Sequence, residues 1–212
     1  MYFFDLDGTL LDSNHVWVDI DMEFLGRLGI SPVPQDYTDY VTHHNFQDGA
    51  EYTRRRFGLD MTPEEIIQTW RDMAAEAYLH HLPLKPGAKD FLRRAREGGK
   101  RCALLTSCMP NLCRPALERH GLIPLLEQVF IAGEVGLPKE SPALYRRVAQ
   151  LCGLEPEECI LFDDSPVYAA AAREAGWQVY GIPDPIFDDR WEELAQLCGP
   201  NRFPFDFSME LP

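Results

Sequence analysis

The sequence is poor in positive charge. Its 20 Lys and Arg stand against 34 Asp and Glu, a formal net charge of −14. That field repels phosphate backbones and anionic lipid, so neither nucleic acid nor a membrane surface is expected as a partner. Solubility is the simplest use of such a charge, and a local site can still oppose it to take a small anion. Long apolar runs are missing as well: no window approaches the roughly 18 residues that a membrane-spanning helix needs. The start, Met1-Tyr2-Phe3-Phe4-Asp5, has no basic region and no long apolar stretch, so no secretion signal is expected. The six cysteines, Cys102, Cys108, Cys113, Cys152, Cys159 and Cys198, form no Cys-x-x-Cys pair. They read as reduced, mostly buried thiols of a cytoplasmic protein, and a zinc or redox role for Cys108 and Cys113 is the weaker reading. There is no internal repeat and no low-complexity segment. A hydrophobic share of 45% with 25% charged residues excludes a disordered chain, and 212 residues suit one domain with an insertion or two small domains.

What is present has an order. Short apolar runs recur at Tyr2-Phe3-Phe4, Cys102-Ala103-Leu104-Leu105, Val129-Phe130-Ile131-Ala132, Ile160-Leu161-Phe162 and Trp177-Gln178-Val179-Tyr180. They read as strands buried on both faces. Helical stretches separate them, each closed by glycine: residues 87–97, 110–120, 142–152 and 166–175. Alternating strand and helix predicts an α/β fold, a parallel sheet with helices on both faces, in which ligands bind at the carboxyl ends of the strands.

Residues 14–85 break this rhythm and read as helices without strands. The clearest helix spans 63–80, with Thr62 as N-cap, Pro63 in the first turn and Glu65 completing a capping box. Its apolar face carries Ile66, Ile67, Trp70, Met73, Ala74, Ala77 and Tyr78. The expected organisation is a core of residues 1–13 and 86–200, a helical insert of 14–85, and a tail of 201–212 wrapping over the surface. Arg93, Arg94 and Arg96 read as a solvated helix face.

Chemistry gathers at the strand ends. Asp5-Leu6-Asp7-Gly8-Thr9 follows the first strand, and residues two apart in extended chain point the same way, so Asp5 and Asp7 can aim together. Asp163-Asp164 follows the fourth strand. Close carboxylates repel unless a cation or shared proton intervenes. Capping of the next helix by Asp164 or Ser165, ahead of Pro166, is the simpler account of one pair. It does not explain acids at two strand ends, whereas a hard cation with oxygen ligands does, and Mg²⁺ fits best. Thr106-Ser107, after the second strand, offers a hydroxyl and backbone amides suited to a phosphate oxygen. Lys139, just before a helix, can balance carboxylates and phosphate.

In this combination the chain resembles the haloacid dehalogenase superfamily, in its phosphatase and phosphomutase branch. The motifs that carry the resemblance are Asp5-Leu6-Asp7-Gly8-Thr9 with Leu10-Leu11-Asp12-Ser13, then Thr106-Ser107, Lys139, and Phe162-Asp163-Asp164-Ser165 with Ala169-Ala170 and Ala175-Gly176. They cover roughly the first 185 residues. The resemblance implies a Rossmann-like α/β core with a C1-type helical cap. It implies Asp5 as nucleophile, forming an aspartyl-phosphate, and Asp7 as general acid and base, whose backbone carbonyl also binds Mg²⁺. Thr106, with backbone amides near Leu6 and Ser107, would hold phosphate oxygens, and Lys139 would neutralise charge. Asp164 would bind the metal directly, and Asp163 directly or through water. Three positions depart from the usual pattern: Ser107 for Asn, Glu140 for Pro after the lysine, and Asp163 for Glu or Gly. Glu140 puts an acid beside the key cation.

The function so implied is a Mg²⁺-dependent phosphatase of a small phosphorylated metabolite, such as a sugar phosphate or phosphoglycolate. A β-phosphoglucomutase-like sugar phosphomutase is the alternative, and a non-catalytic metabolite-binding relative is a third reading that the retained motifs disfavour. Asp7 argues against a dehalogenase, which needs no general acid there and no Mg²⁺. A monomer is expected, with a homodimer as the alternative. His15, His43, His44, Arg54, Arg55 and Arg56 are the substrate-contact candidates of the insert. The three consecutive arginines span most of a helical turn, so at least one faces away.

Overall fold

Tyr2, Phe3 and Phe4 form the central strand of the molecule. The computed structural model describes residues 1–42, 46–200 and 202–212. Five strands, β1 (Tyr2–Phe4), β2 (Cys102–Thr106), β3 (Gln128–Ile131), β4 (Ile160–Asp163) and β5 (Gln178–Gly181), make one sheet in the order β3-β2-β1-β4-β5. Every pairing is parallel. The fold is α/β and Rossmann-like. By the period of two along a strand, Phe3 faces one side of the sheet and Tyr2 and Phe4 the other. On the Phe3 side, Leu105 and Leu161 pack with Leu144, Tyr145 and Val148 of α8 (Pro142–Cys152) and Ala172 of α9 (Pro166–Glu174). On the other side Phe4 stacks on Phe162 at 4.7 Å, and Phe91 of α5 (Ala88–Glu97) meets Phe162 edge-on at 5.5 Å.

Two sequence expectations about strands change. The third run was expected to be buried on both faces, but β3 is the sheet edge, and of its residues only Ile131 is buried. Ala132 belongs instead to the one-turn helix α7 (Ala132–Val135). The fifth run shifts by a residue, with Trp177 ahead of β5 and buried in the core.

The chain divides into two compact units, Met1–Asn14 with Leu82–Pro212, and His15–His81. The return connection Leu82–Lys85 belongs to the α/β unit, to which its backbone is bonded. The Asp12 amide donates to the Pro83 carbonyl at 3.0 Å, and the Lys85 amide to the Leu10 carbonyl at 2.9 Å. The segments that leave and rejoin the sheet thus run side by side, with a bridge between Leu11 and Leu84. Lys85 is fixed further by its ammonium, 2.6 Å from the buried Asp184 carboxylate.

The helical unit holds α1 (Val16–Arg27), α2 (Gln35–Thr42), α3 (Phe46–Phe57) and α4 (Pro63–Glu76). The capping box of Thr62 and Glu65 is formed. The helix expected over 63–80 ends as α helix at Glu76 and continues as a π turn, Ala77–His81. Ile66, Ile67, Trp70, Ala74 and Tyr78 of the expected apolar face are buried.

The tail adds to its expected course. Most of its described residues are exposed or half-buried, and it also inserts Phe205 and Phe207 into the aromatic face of the sheet, where Phe205 contacts Phe91, Phe162 and Tyr180. Arg94, expected to be merely solvated, donates to the Phe207 carbonyl at 2.6 Å and the Met209 carbonyl at 3.2 Å.

Candidate active site

Strand register builds the site. Asp5 follows Phe4, and Asp163 follows Phe162, the residue paired with Phe4. The Asp5 amide donates to the Phe162 carbonyl at 3.0 Å, so the two carboxylates leave neighbouring strands side by side. Thr106 ends β2 on the other flank of β1. All three sit at the carboxyl edge of the sheet, where the α/β topology places ligands. Asp5, Asp163 and Asp164 are buried, and each offers an oxygen lying within 4.8 Å of the other two.

Lys139 reaches this edge from the turn before α8. Its ammonium is fully buried, 2.7 Å from Asp5 Oδ1 and 2.8 Å from Asp163 Oδ2. Its neighbour Glu140 is exposed, so that acid faces solvent rather than the ammonium. The face of the Tyr168 ring lies 4.3 Å from Lys139 Nζ.

The two acids after β4 have separate supports. Asp163 Oδ1 accepts the Ser165 amide at 2.9 Å. Asp164 Oδ1 accepts from the Thr9 hydroxyl at 2.8 Å and its Oδ2 from the Asn14 side-chain amide at 2.9 Å. The simple account of these acids as helix caps therefore fails. Ser165 is the N-cap residue of α9 but makes no side-chain cap bond, and Asp164 is turned toward the loop after β1.

Asp7 behaves differently from Asp5. It is half-buried, its side chain stands outside the three-carboxylate group, and its Oδ1 accepts from the Ser13 hydroxyl at 2.7 Å. The chain turns sharply here, with the Leu10 and Leu11 amides both donating to the Leu6 carbonyl. The Leu6 side chain is buried, which leaves only its backbone for a ligand. Thr106 Oγ1, also buried, accepts the Cys108 amide at 3.0 Å, so its own hydroxyl proton remains to be donated. Ser107 is exposed, 3.3 Å from the Tyr168 hydroxyl.

Burial works against these charges. It pushes the Asp163 carboxyl up to about 6, against the pull of Lys139. Burial, with Asp163 and Asp5 beside it, holds the Asp164 carboxyl well above the ordinary range, and the bonds from Thr9 and Asn14 offset this only in part. Burial would lower the Lys139 ammonium, but Asp163 and then Asp5 outweigh it and hold it well above its usual value. Three buried carboxylates against one ammonium leave an excess of negative charge on an all-oxygen donor set. That chemistry fits a hard divalent cation.

Thr9, Ser13, Asn14 and Tyr168 went unassigned in the sequence reading. The clue for the first three was a polar, hydroxyl-rich turn directly after the first acidic pair. Of the insert's candidates, His15 lies 3.5 Å from Asp19, Arg55 pairs with Glu51 at 3.6 Å and Arg56 with Asp36 at 3.8 Å, all exposed. Arg54 is exposed, and His43 and His44 lie outside the described residues.

The sequence profile of the haloacid dehalogenase-like hydrolases matches residues 1–176. The GMP/IMP nucleotidase YrfG of Escherichia coli (strain K12) is 30% identical over 193 residues, 85% of this chain and 82% of that protein. The phosphoglycolate phosphatase of Pseudomonas putida is 28% identical, over 86% of this chain and 68% of its own. Among solved structures, a Thermotoga maritima protein provisionally described as a β-phosphoglucomutase superposes with a TM-score of 0.83 at 20% identity, covering 94% of this chain and 91% of that one. A hydrolase of the same family from Deinococcus radiodurans, with bound phosphate and sodium, gives 0.68 at 25% identity, over 87% and 80%. With 176 of its 212 residues matched by the profile, the chain is a member of the haloacid dehalogenase-like hydrolases.

Proposed function

We propose that the chain is a Mg²⁺-dependent phosphatase of small phosphomonoesters, working through an aspartyl-phosphate on Asp5. The observation that carries this reading is the buried Lys139 joined to Asp5 and Asp163 at the carboxyl edge of the sheet, with Asp164 alongside. Phosphoryl transfer asks for in-line positioning and for neutralisation of charge on the equatorial oxygens. Asp5, Asp164 and Asp163, with the Asp7 backbone carbonyl, are the groups assigned to the metal. Bound there, Mg²⁺ supplies charge neutralisation to the phosphoryl oxygens.

The residues then divide the work. Lys139 pins Asp5 Oδ1, leaving Oδ2 to attack phosphorus. The bond from phosphorus to the leaving oxygen breaks as the Asp7 carboxyl delivers its proton to that oxygen. In the second half, water attacks the phosphorus, Asp7 takes a proton from that water, and the bond to Asp5 breaks to release phosphate. Ser13 orients Asp7 for both transfers. The Thr106 hydroxyl and backbone amides near Leu6 and Ser107 hold phosphoryl oxygens, and Lys139 offsets their charge. The helical unit is assigned the role of a cap that excludes water and chooses the leaving group.

The test is phosphate release from a panel of phosphomonoesters that includes GMP, IMP, phosphoglycolate, phosphoserine and hexose phosphates. It is run with Mg²⁺ and with chelator, for wild type beside Asp5→Asn. Release that needs Mg²⁺ and disappears in the variant is expected. Folded wild type that releases nothing from any member would overturn the reading, and isomerisation of a hexose phosphate in the presence of its bisphosphate would replace it with a mutase.

A further inference from the structure

We propose that Tyr168 is a positioning residue of the phosphate subsite, its ring covering the Lys139 ammonium and its hydroxyl holding Ser107. The inference rests on the phosphatase reading and extends it to a residue with no part in the steps above.

The geometry is specific. The Lys139 ammonium is ion-paired with Asp5 Oδ1 at 2.7 Å and Asp163 Oδ2 at 2.8 Å. The Tyr168 ring, 4.3 Å from Nζ, adds an attractive surface that no carboxylate supplies, since the face of an aromatic ring draws a cation. A flexible four-carbon stem would otherwise let the ammonium shift when phosphate arrives. The ring confines it between two acids and an aromatic plane.

The same side chain ends in a hydroxyl 3.3 Å from Ser107 Oγ, and either oxygen can donate. Ser107 follows β2, while Tyr168 lies in the first turn of α9, three residues after the N-cap Ser165. One half-buried tyrosine therefore links three segments that the proposed mechanism needs in register: the turn carrying Lys139, the loop of Thr106 and Ser107, and the helix that follows Asp163 and Asp164. Ser107 is exposed, so burial does not hold it, and the tie to Tyr168 is the support that the proposal assigns to it.

The two ends of the side chain predict different kinetic losses. Tyr168→Phe keeps the ring over Lys139 and removes the tie to Ser107. Its KM, and its inhibition constant for inorganic phosphate, should rise about threefold to tenfold, the size of one lost hydrogen bond, with kcat near wild type. Tyr168→Leu keeps bulk but removes the aromatic face. Its kcat should also fall, by a further factor of about three to ten, as expected for a lost contact to a partly desolvated cation. Calorimetric titration of inorganic phosphate into protein with Mg²⁺ gives a reading that needs no turnover, and phosphate should bind Tyr168→Phe more weakly by the same factor. A purely space-filling tyrosine would show variants that melt earlier yet keep wild-type KM, kcat and phosphate affinity, and that pattern overturns the proposal. Failure of wild type on the whole panel, with phosphate still bound more weakly by Tyr168→Phe, would overturn the phosphatase reading and leave this one standing.

Discussion

Gly8 shows how tightly single residues are constrained at the carboxyl edge. Its φ is +71°, and a Cβ built there would lie 2.1 Å from Asn14 Nδ2 and 2.3 Å from Asp164 Oδ2. Both the left-handed backbone and the close approach require glycine. Gly8→Ala should push Asp164 off Thr9 and Asn14 and lower kcat/KM about 10²-fold, the cost of roughly an ångström of misplacement. Far-UV circular dichroism should remain that of wild type, because the sheet and its core lie elsewhere. Near-wild-type kinetics in Gly8→Ala would mean that Asp164 does not need this support. Asp5, Asp163 and Asp164 were legible in the sequence because they stand at the ends of the apolar runs Tyr2-Phe3-Phe4 and Ile160-Leu161-Phe162. Thr9 and Asn14 were not, since the partner they share lies 155 and 150 residues away and no local pattern records it. Tyr168 was hidden for a similar reason: a tyrosine in the first turn of a helix reads as packing until its hydroxyl and ring are seen to meet Ser107 and Lys139.

The helices of the insert carry a charge that their periodicity does not announce. Asp21 of α1 accepts from the Tyr37 hydroxyl of α2 at 3.2 Å, and that hydroxyl lies 3.0 Å from Thr53 Oγ1 of α3. Burial raises the Asp21 carboxyl from 3.8 to about 6, although the bond from Tyr37 pulls the other way. A folded value above the unfolded one means that the folded unit holds the proton more tightly. Stability from Asp21 is then fullest below about pH 4 and is lost as pH rises through about 6. Asp21→Asn keeps an acceptor for Tyr37 and cannot ionise. It should stabilise the helical unit at pH 8 by about 1–3 kcal/mol and change little at pH 4. Hydrogen exchange of the α1 and α2 amides at both pH values reads this directly, and a variant that exchanges faster at pH 8 would refute it. Helix and strand types were legible here wherever both faces or one clean stripe are buried, as in β1, β2 and α4. At the sheet edge the strand type held for β3, and only its expected burial on both faces did not. Hydropathy cannot tell that β3 has a neighbour on one side only, and a period of 3.6 cannot register the change to a π turn after Glu76.

At the scale of the whole molecule, the alternation of strand and helix made the α/β core legible, and the lack of strand-like runs across residues 14–85 marked the insert. The anchoring of the tail was not legible, because proline-rich segments without periodicity look like surface loop and no local pattern marks Phe205 and Phe207 as buried. Two backbone bonds, from the Gly181 amide to the Arg202 carbonyl and from the Phe205 amide to the Gly181 carbonyl, both 2.9 Å, lay it against the end of β5. Gly181 permits that approach, since a Cβ there would come within 2.8 Å of the Phe203 ring and 2.9 Å of Cys198 Sγ. Phe205 then closes the aromatic face over Phe91, Phe162 and Tyr180, each ring centroid 5.3 to 5.5 Å away. Truncating a fully packed phenylalanine costs about 3–5 kcal/mol, a large part of the stability of an ordinary domain. Phe205→Ala should therefore lower the melting temperature by about 10 °C, at the 2–4 °C per kcal/mol typical of this chain length. Its kcat, measured well below that transition, should stay near wild type, because Phe205 packs on the sheet face and touches none of the acids at the carboxyl edge. A melting temperature within about 2 °C of wild type would mean that the aromatic face closes without the tail. A matching loss of kcat at low temperature would instead tie the tail to the geometry of Asp163, which directly follows Phe162 in β4.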